Sequence, residues 1–471
     1  MRSRPIVLGL LVLLAACFGA RAETPKPPKT FDVGAIDVYA SEVVSDQNVP
    51  GLALAIVRDG KIVLAKGYGR RSLEDGARVE PETPFAAGSV TKQFVCACVL
   101  LLAEEGKLSV DDKVAKYFPN LSRAGDVTLY QLMTHTSGYP DFYPLDFVDR
   151  RLGKSIVPDQ LIAEYAGGKL DFEPGTRWSY SNTGYTILGR VVEKVCGQPF
   201  SEFFGQRILT PLNMKHSAFE PALGLKGRAR GYTSIALGPL EPAQPEAPGW
   251  LYAAGGLVAS APDLARWDIA LMEGKVLKPD SFRRMTTGVM LSDGRSRDYG
   301  CGLQVLHRDG EMILTHGGAV SGFRATNILI PRKKSALVLL TNGETSDLGP
   351  FSQAVLELLL KDEGATEIPK VDGPSPQSAA LDFLHAMQSG KLDRDKLGDE
   401  FSAYLTDERV KSAAPRLKAL GEPEEVDVEA VRERGGMEVA AIRFTFRSGT
   451  LKGLLYRTPD GKIQQLLFTK E

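Results

Sequence analysis

Ala87-Gly88-Ser89-Val90-Thr91-Lys92-Gln93-Phe94 is a small-residue turn that runs into an apolar stretch over residues 94–105. Ser89 and Lys92 are three residues apart, and on a helix that spacing stacks two side chains on one face. A hydroxyl then stands against an ammonium at a helix N-terminus, where outward N–H groups favour anions. An activated serine needs both parts, a group that helps remove its proton and donors for a developing oxyanion. Taken alone, S-x-x-K is more often a helix cap beside a solvated lysine. The reading therefore depends on what the rest of the chain supplies.

Strand-like sequence lies on both sides of that stretch. Residues 51–67 read as a hairpin turning at Asp59-Gly60, after a helix over 31–46. Strands are expected again at 299–306, 311–314, 326–330 and 336–341, with a turn at Pro331-Arg332-Lys333-Lys334 and a closing helix at 351–360. Between them, residues 90–218 carry helical periodicity at 129–135, 158–166, 183–195 and 200–208. Residues 221–249 read as a long surface loop. Ser260-Ala261-Pro262-Asp263 opens a capped helix to about residue 273. The expected fold is α/β (α+β), an antiparallel sheet flanked by helices with an inserted helical subdomain, over residues 31–362. A linker at 363–377 leads to a small C-terminal α+β domain at 378–471, with helices at 379–387 and 409–420 and strands at 425–434, 437–447, 450–457 and 463–468.

Composition excludes several classes. With 43% hydrophobic and 24% charged residues and a formal net charge of -1, the chain reads as an ordinary globular protein with no nucleic-acid partner. It has no phosphate-binding glycine motif, HExxH or CxxC, so no cofactor and no metal are expected. Met1-Arg2-Ser3-Arg4, an apolar run over 6–18 and Ala20-Arg21-Ala22 read as a signal peptide over residues 1–22. Leu14-Ala15-Ala16-Cys17 also fits a lipobox, which would lipidate Cys17. The expected location is periplasmic or secreted, with a membrane anchor only if Cys17 is lipidated. Cys96, Cys98, Cys196 and Cys301 are read as buried small apolar residues.

Two further segments meet the needs of Ser89. In Trp178-Ser179-Tyr180-Ser181-Asn182, the tyrosine and asparagine are two apart and share a side of an extended loop. Tyr180 reads as general base, its phenolate supported by Lys92, and Asn182 as the residue that positions Lys92 and the substrate amide. In Leu314-Thr315-His316-Gly317-Gly318-Ala319, two glycines let a substrate backbone approach a strand edge. The Ala319 N–H then joins that of Ser89 as an oxyanion donor, and His316 carries charge or donates a hydrogen bond near Tyr180. His135, in Thr134-His135-Thr136-Ser137-Gly138, reads as a packing or hydrogen-bonding residue. Tyr139, Phe142 and Tyr143 after it either wall the pocket or pack into the subdomain.

Ser89-Val90-Thr91-Lys92, Tyr180-Ser181-Asn182 and His316-Gly317-Gly318, in this order, resemble the serine β-lactamase and penicillin-binding protein superfamily. Tyr-x-Asn resembles its class C β-lactamase branch, which also holds D-alanyl-D-alanine carboxypeptidases, D-aminopeptidases and esterases. Thr134-His135-Thr136-Ser137-Gly138 and Ala254-Gly255-Gly256-Leu257 resemble further segments of that branch. The resemblance implies a serine that is acylated and then released by water, with these roles on Ser89, Lys92, Tyr180, Asn182 and His316. Class C lactamases usually carry Lys-Thr-Gly as the third motif. Histidine is a weaker cation at neutral pH, which favours peptidase or esterase chemistry over β-lactam hydrolysis. The alternative is a penicillin-binding or ligand-sensing module that acylates without turnover. The unit at 378–471 resembles accessory domains and suggests substrate gating or a partner contact.

Overall fold

The computed structural model describes residues 25–47, 49–143, 148–219, 225–236, 238–361 and 368–470. The expected leader, Cys17, residue 362 and residues 363–367 of the expected linker lie outside them. Contacts divide the chain after Leu360 into two units.

The first unit is organised on a six-stranded antiparallel sheet in the order Lys61–Gly69, Gly51–Arg58, Ser335–Thr341, Phe323–Ile330, Glu311–Val320 and Gln304–Arg308. Both chain ends of the unit thus meet at its centre, where Leu54 faces Leu339 and Ala55 faces Val338. These central strands read as unbroken apolar runs because both faces are covered. On one face Leu52, Leu54, Ile56, Leu337 and Leu339 pack with the helices Val33–Asp46 and Gly349–Leu360. On the other, Ala53, Ala55, Val57, Val338 and Leu340 join the core of the helical subdomain.

The helix Thr91–Glu104 runs through that core, buried on every side from Thr91 to Leu100. Such a helix has no solvent face. Lys92 is 0% exposed, so the solvated-lysine reading of the S-x-x-K pair does not hold.

Several boundaries differ from the sequence reading. The strand expected at 299–306 begins only at Gln304, and the one expected at 311–314 continues through His316-Gly317-Gly318-Ala319 to Val320. Pairing with Phe323–Ile330 carries it past the two glycines, against their low strand propensity. Phe85–Ala86, Leu257–Ala259 and Ala218–Phe219 form a small second sheet that is too short to show a period. The helix Pro279–Met285 was not expected, and the one read at 200–208 ends at Phe204 and continues as a wider turn. Cys96, Cys98 and Cys301 are buried, but Cys196 is only half-buried, because it ends the helix Asn182–Cys196.

A buried polar chain lies behind the sheet. Trp267 Nε1 donates to Gln93 Oε1, Gln93 Nε2 to Asn327 Oδ1, and Asn327 Nδ2 to Asp268 Oδ2, each at 2.7–2.8 Å. Asp268 is 0% exposed, and its other oxygen has no hydrogen-bond partner among the described residues. Burial pushes its pKa well above the usual carboxylate range, which keeps it protonated. The folded state therefore holds a proton that the unfolded chain loses above about pH 4, and stability falls as pH rises from there. Asp268→Asn keeps an acceptor for Asn327 without the proton. It is expected to match the parent near pH 4 and to exceed it at pH 7, by up to about 1.4 kcal/mol per pH unit, in urea unfolding at both pH values.

The second unit packs the helices Pro376–Ser389, Asp399–Tyr404 and Asp407–Lys418 on a sheet in the order Glu425–Arg434, Met437–Phe446, Gly449–Arg457 and Ile463–Gln465. Phe468–Lys470 pairs with Gly449–Arg457. Val439 apart, the even positions Glu438, Ala440, Ile442, Phe444 and Phe446 of the second strand are the buried ones, as the period of two requires. Its core gathers Phe383, Leu384, Phe401, Ile442, Phe444 and Leu455. Arg457 is buried there against Glu438, with Nε and Nη2 at 2.8 and 2.5 Å from one carboxylate oxygen and Nη1 at 2.6 Å from the Pro374 carbonyl.

Candidate active site

Ser89 sits in the tight turn Gly88–Val90, which feeds straight into the helix Thr91–Glu104. Thr91 Oγ1 donates to the Gly88 carbonyl at 2.6 Å and accepts from Leu257 N at 3.0 Å, which pins the turn to the small second sheet. Gly88 has φ +52°, and a Cβ there would lie 2.8 Å from the Ala319 nitrogen. Gly318 is as tightly placed, since its Cβ would fall 2.0 Å from the Ala87 carbonyl oxygen. Glycine at 88 and 318 thus lets the serine turn touch the strand Glu311–Val320. Gly317 meets only Ala325 O, at 3.8 Å, and leaves room in the cleft. The sequence reading gave both glycines of the motif to the substrate, and Gly318 in addition lets the strand pack on the serine turn.

Lys92 Nζ lies 3.0 Å from Ser89 Oγ, 2.8 Å from Asn182 Oδ1 and 2.7 Å from the Ala254 carbonyl. The Tyr180 hydroxyl lies 2.8 Å from Ser89 Oγ, and Lys92 Nζ stands 4.7 Å from the centre of its ring. Burial lowers the Lys92 pKa to about 7, opposed by the charge of Asp141. Asn182 opens the helix Asn182–Cys196, which Ser181 caps through Gly184 N.

Asp141 was missed in the sequence. Its Oδ1 accepts from Asn182 N at 2.9 Å and Asn182 Nδ2 at 3.1 Å, which turns the Asn182 oxygen toward Lys92. The loop after Gly138 was noted for its aromatic residues, and only the fold brings its aspartate to Asn182. Of those residues, Tyr139 packs inward with its hydroxyl on Ser122 O, while Phe142 and Tyr143 join Trp250 in the cleft wall.

His316 is 6% exposed, and burial with nearby Lys92 lowers its pKa to about 4. At neutral pH it is uncharged, so of the two roles read for it, the cationic one falls away. His135 has φ 58°, a left-handed conformation in which histidine is enriched over most residues. Its ring packs on Tyr180 at a tilt of 35°, with centroids 4.3 Å apart, and its Nδ1 accepts from Ser181 N at 3.0 Å. It orients the Tyr180 loop, in line with its reading as a hydrogen-bonding residue.

Ser89, Tyr180, Asn182, His316, Gly317, Gly318 and Ala319 all line one cleft of about 840 Å³, with Asp141, Phe142, Trp250 and Arg324 around them. Lys92 lies beneath its floor. The cleft has the size of a small-ligand site. It places an amine of lowered pKa and a phenol each within hydrogen-bond reach of one serine hydroxyl, beside a strand edge.

A family model described as Beta-lactamase matches residues 36–360. PbpX of Bacillus subtilis is 29% identical over 313 residues, covering 64% of this chain and 74% of that protein. Among solved structures, the octameric penicillin-binding protein homologue from Pyrococcus abyssi is 25% identical, with a TM-score of 0.63 over 93% of this chain and 95% of its own. A D-stereospecific amidohydrolase from Streptomyces sp. is 26% identical, with a TM-score of 0.58 over 70% of this chain and 99% of its own.

Proposed function

The chain belongs to the β-lactamase family, and from that premise we propose that it is an exported serine hydrolase that cleaves an amide or ester through an acyl-enzyme on Ser89. The observation that carries this reading is the environment of Lys92. Two of its three neighbours, Asn182 Oδ1 and the Ala254 carbonyl, only accept. A neutral amine gives them its two N–H bonds and has a lone pair left for the Ser89 proton, at 3.0 Å. A pKa near 7 makes that form available.

Ser89 Oγ then attacks the acyl carbon as its proton passes to Lys92. The oxyanion faces the N–H groups of Ser89 and Ala319. Tyr180 gives its proton to the leaving amine or alcohol, and the Lys92 ammonium near its ring stabilises the phenolate. Water then attacks the acyl ester and gives a proton to the Tyr180 phenolate, while the Lys92 ammonium returns a proton to the departing Ser89 Oγ, which frees the acid and restores all three groups. The base role thus moves from Tyr180, where the sequence reading put it, to Lys92. The neutral His316 and the aromatic wall of Phe142, Tyr143 and Trp250 support an apolar, uncharged acyl donor over a β-lactam. The similarity to an amidohydrolase supports the amide class. Export rests on the leader sequence.

The test is a panel of a p-nitrophenyl ester, a D-amino acid amide, a cephalosporin and a D-Ala-D-Ala peptide, with Ser89→Ala as control. Turnover of the ester or the amide that is lost in Ser89→Ala is expected. Labelling of Ser89 without release of any of the four would instead make the protein a sensing module.

A further inference from the structure

Tyr299 takes no part in the steps above, yet its hydroxyl stands between the two histidines of the site. It lies 3.1 Å from His135 Nε2 and 3.0 Å from His316 Nε2. The protons of this group are fixed from both ends. Ser181 N–H donates to His135 Nδ1, so neutral His135 carries its proton on Nε2 and donates it to the Tyr299 oxygen. At the other end His316 Nδ1 lies 2.6 Å from the Gly317 carbonyl, which only accepts. His316 therefore carries its proton on Nδ1, and its Nε2 is an acceptor. The Tyr299 proton then points to His316 Nε2. One directed chain runs from Ser181 N–H through His135, Tyr299 and His316 to the Gly317 carbonyl, with Tyr185 also facing the Tyr299 hydroxyl.

We propose that Tyr299 is a positioning residue that occupies His316 Nε2, holds the histidine of the third motif neutral as its Nδ1–H tautomer, and so turns the cleft toward acyl donors without a carboxylate beside the strand Glu311–Val320. The substrate class rests on the hydrolase reading above; the proton arrangement does not. Of the groups facing His316, only the Gly317 carbonyl, which accepts from Nδ1–H, favours its charged form, and burial and Lys92 outweigh it. Lys92, from the helix Thr91–Glu104, disfavours a second positive charge, as does burial. Tyr180 presents its ring at 6.3 Å, and Tyr299 its ring at 5.9 Å. Asn327, the register partner of His316 on the neighbouring strand, is neutral. Arg324 also lines the cleft, but it pairs with Ala319 three positions along, on the opposite face of the sheet from His316.

The first measurement is a ¹⁵N–¹H spectrum of the histidine rings in the full-length protein. His316 is expected as the Nδ1–H tautomer and His135 as Nε2–H, both unchanged down to about pH 5. In Tyr299→Phe, His316 Nε2 loses its donor and its pKa is expected to rise. The preference in kcat/KM for a neutral ester over its carboxylate-bearing analogue should then fall about tenfold at pH 5.5, the equivalent of one pKa unit, and stay unchanged at pH 8. An Nε2–H tautomer at His316 in the parent protein overturns the proposal, even if the variant does not fold. So does a Tyr299→Phe protein whose His316 spectrum and selectivity do not move, or a parent that prefers the carboxylate through Arg324. If no acyl donor is turned over at all, the hydrolase reading fails, while the tautomer spectrum still decides the proton chain.

Discussion

Lys92→Met is expected to slow acylation of Ser89 on the order of 10²–10⁴-fold, the usual worth of a positioned general base. The change keeps the volume of the buried side chain and removes its nitrogen. The parent should show a second signature. Only the neutral amine accepts the Ser89 proton, and burial brings the Lys92 pKa down to about 7. Below that pH the amine fraction falls tenfold per unit, so kcat/KM for a neutral ester should rise with pH and level off above about 7. Because the limb belongs to Lys92, Tyr180→Phe should lower the rate and keep it, whereas Lys92→Met should lose it. Retention of the limb in Lys92→Met would return the base role to Tyr180. The methionine also leaves Asn182 Oδ1 and Ala254 O unpaired, which costs about 1–3 kcal/mol each, so the rate must be read per folded molecule.

In the second unit, Arg457→Met is expected to cost about 3–5 kcal/mol, because it strands the Glu438 carboxylate in the core. The Arg457 side chain is 2% exposed and that of Glu438 10%, so water cannot replace the lost partner. Removing both charges is a different case. An Arg457→Met, Glu438→Leu double variant exchanges a desolvated ion pair for apolar packing and should recover most of the loss. Calorimetry of the full chain reads this as a lower unfolding temperature for the single variant and a near-parental one for the double. Equal losses in both would mean that the pair's shape, rather than its charge, holds the unit together.

What the sequence revealed and what it hid follow from the range of the contacts involved. Ser89 and Lys92 are three apart, and the apolar runs at 52–57 and 336–340 mark central strands, so both were legible from local spacing. The extent of the strand Glu311–Val320 was not, because the His316-Gly317-Gly318 segment is held extended by a partner strand against its own propensity. Asp141 and Tyr299 carry no local signal. Asp141 meets Asn182 across 41 residues and Tyr299 meets His135 across 164, and only the fold closes those gaps. The sequence left the charge of His316 open for a related reason. Its residue type suggests a titrating group, whereas its burial beside Lys92 sets the pKa. Gly318 shows the same limit, since its need for glycine comes from the Ala87 carbonyl, far away in the chain.

The proposed chemistry requires that Ser89 be acylated and then released. Intact-mass spectrometry of the full chain, quenched within the first turnovers on a p-nitrophenyl ester, tests it directly. One transient acyl adduct is expected, located on the peptide that carries Ser89, formed faster as pH rises toward 7, lost as product accumulates, and absent from Ser89→Ala. Turnover with no adduct on that peptide, or turnover that survives in Ser89→Ala, would contradict it.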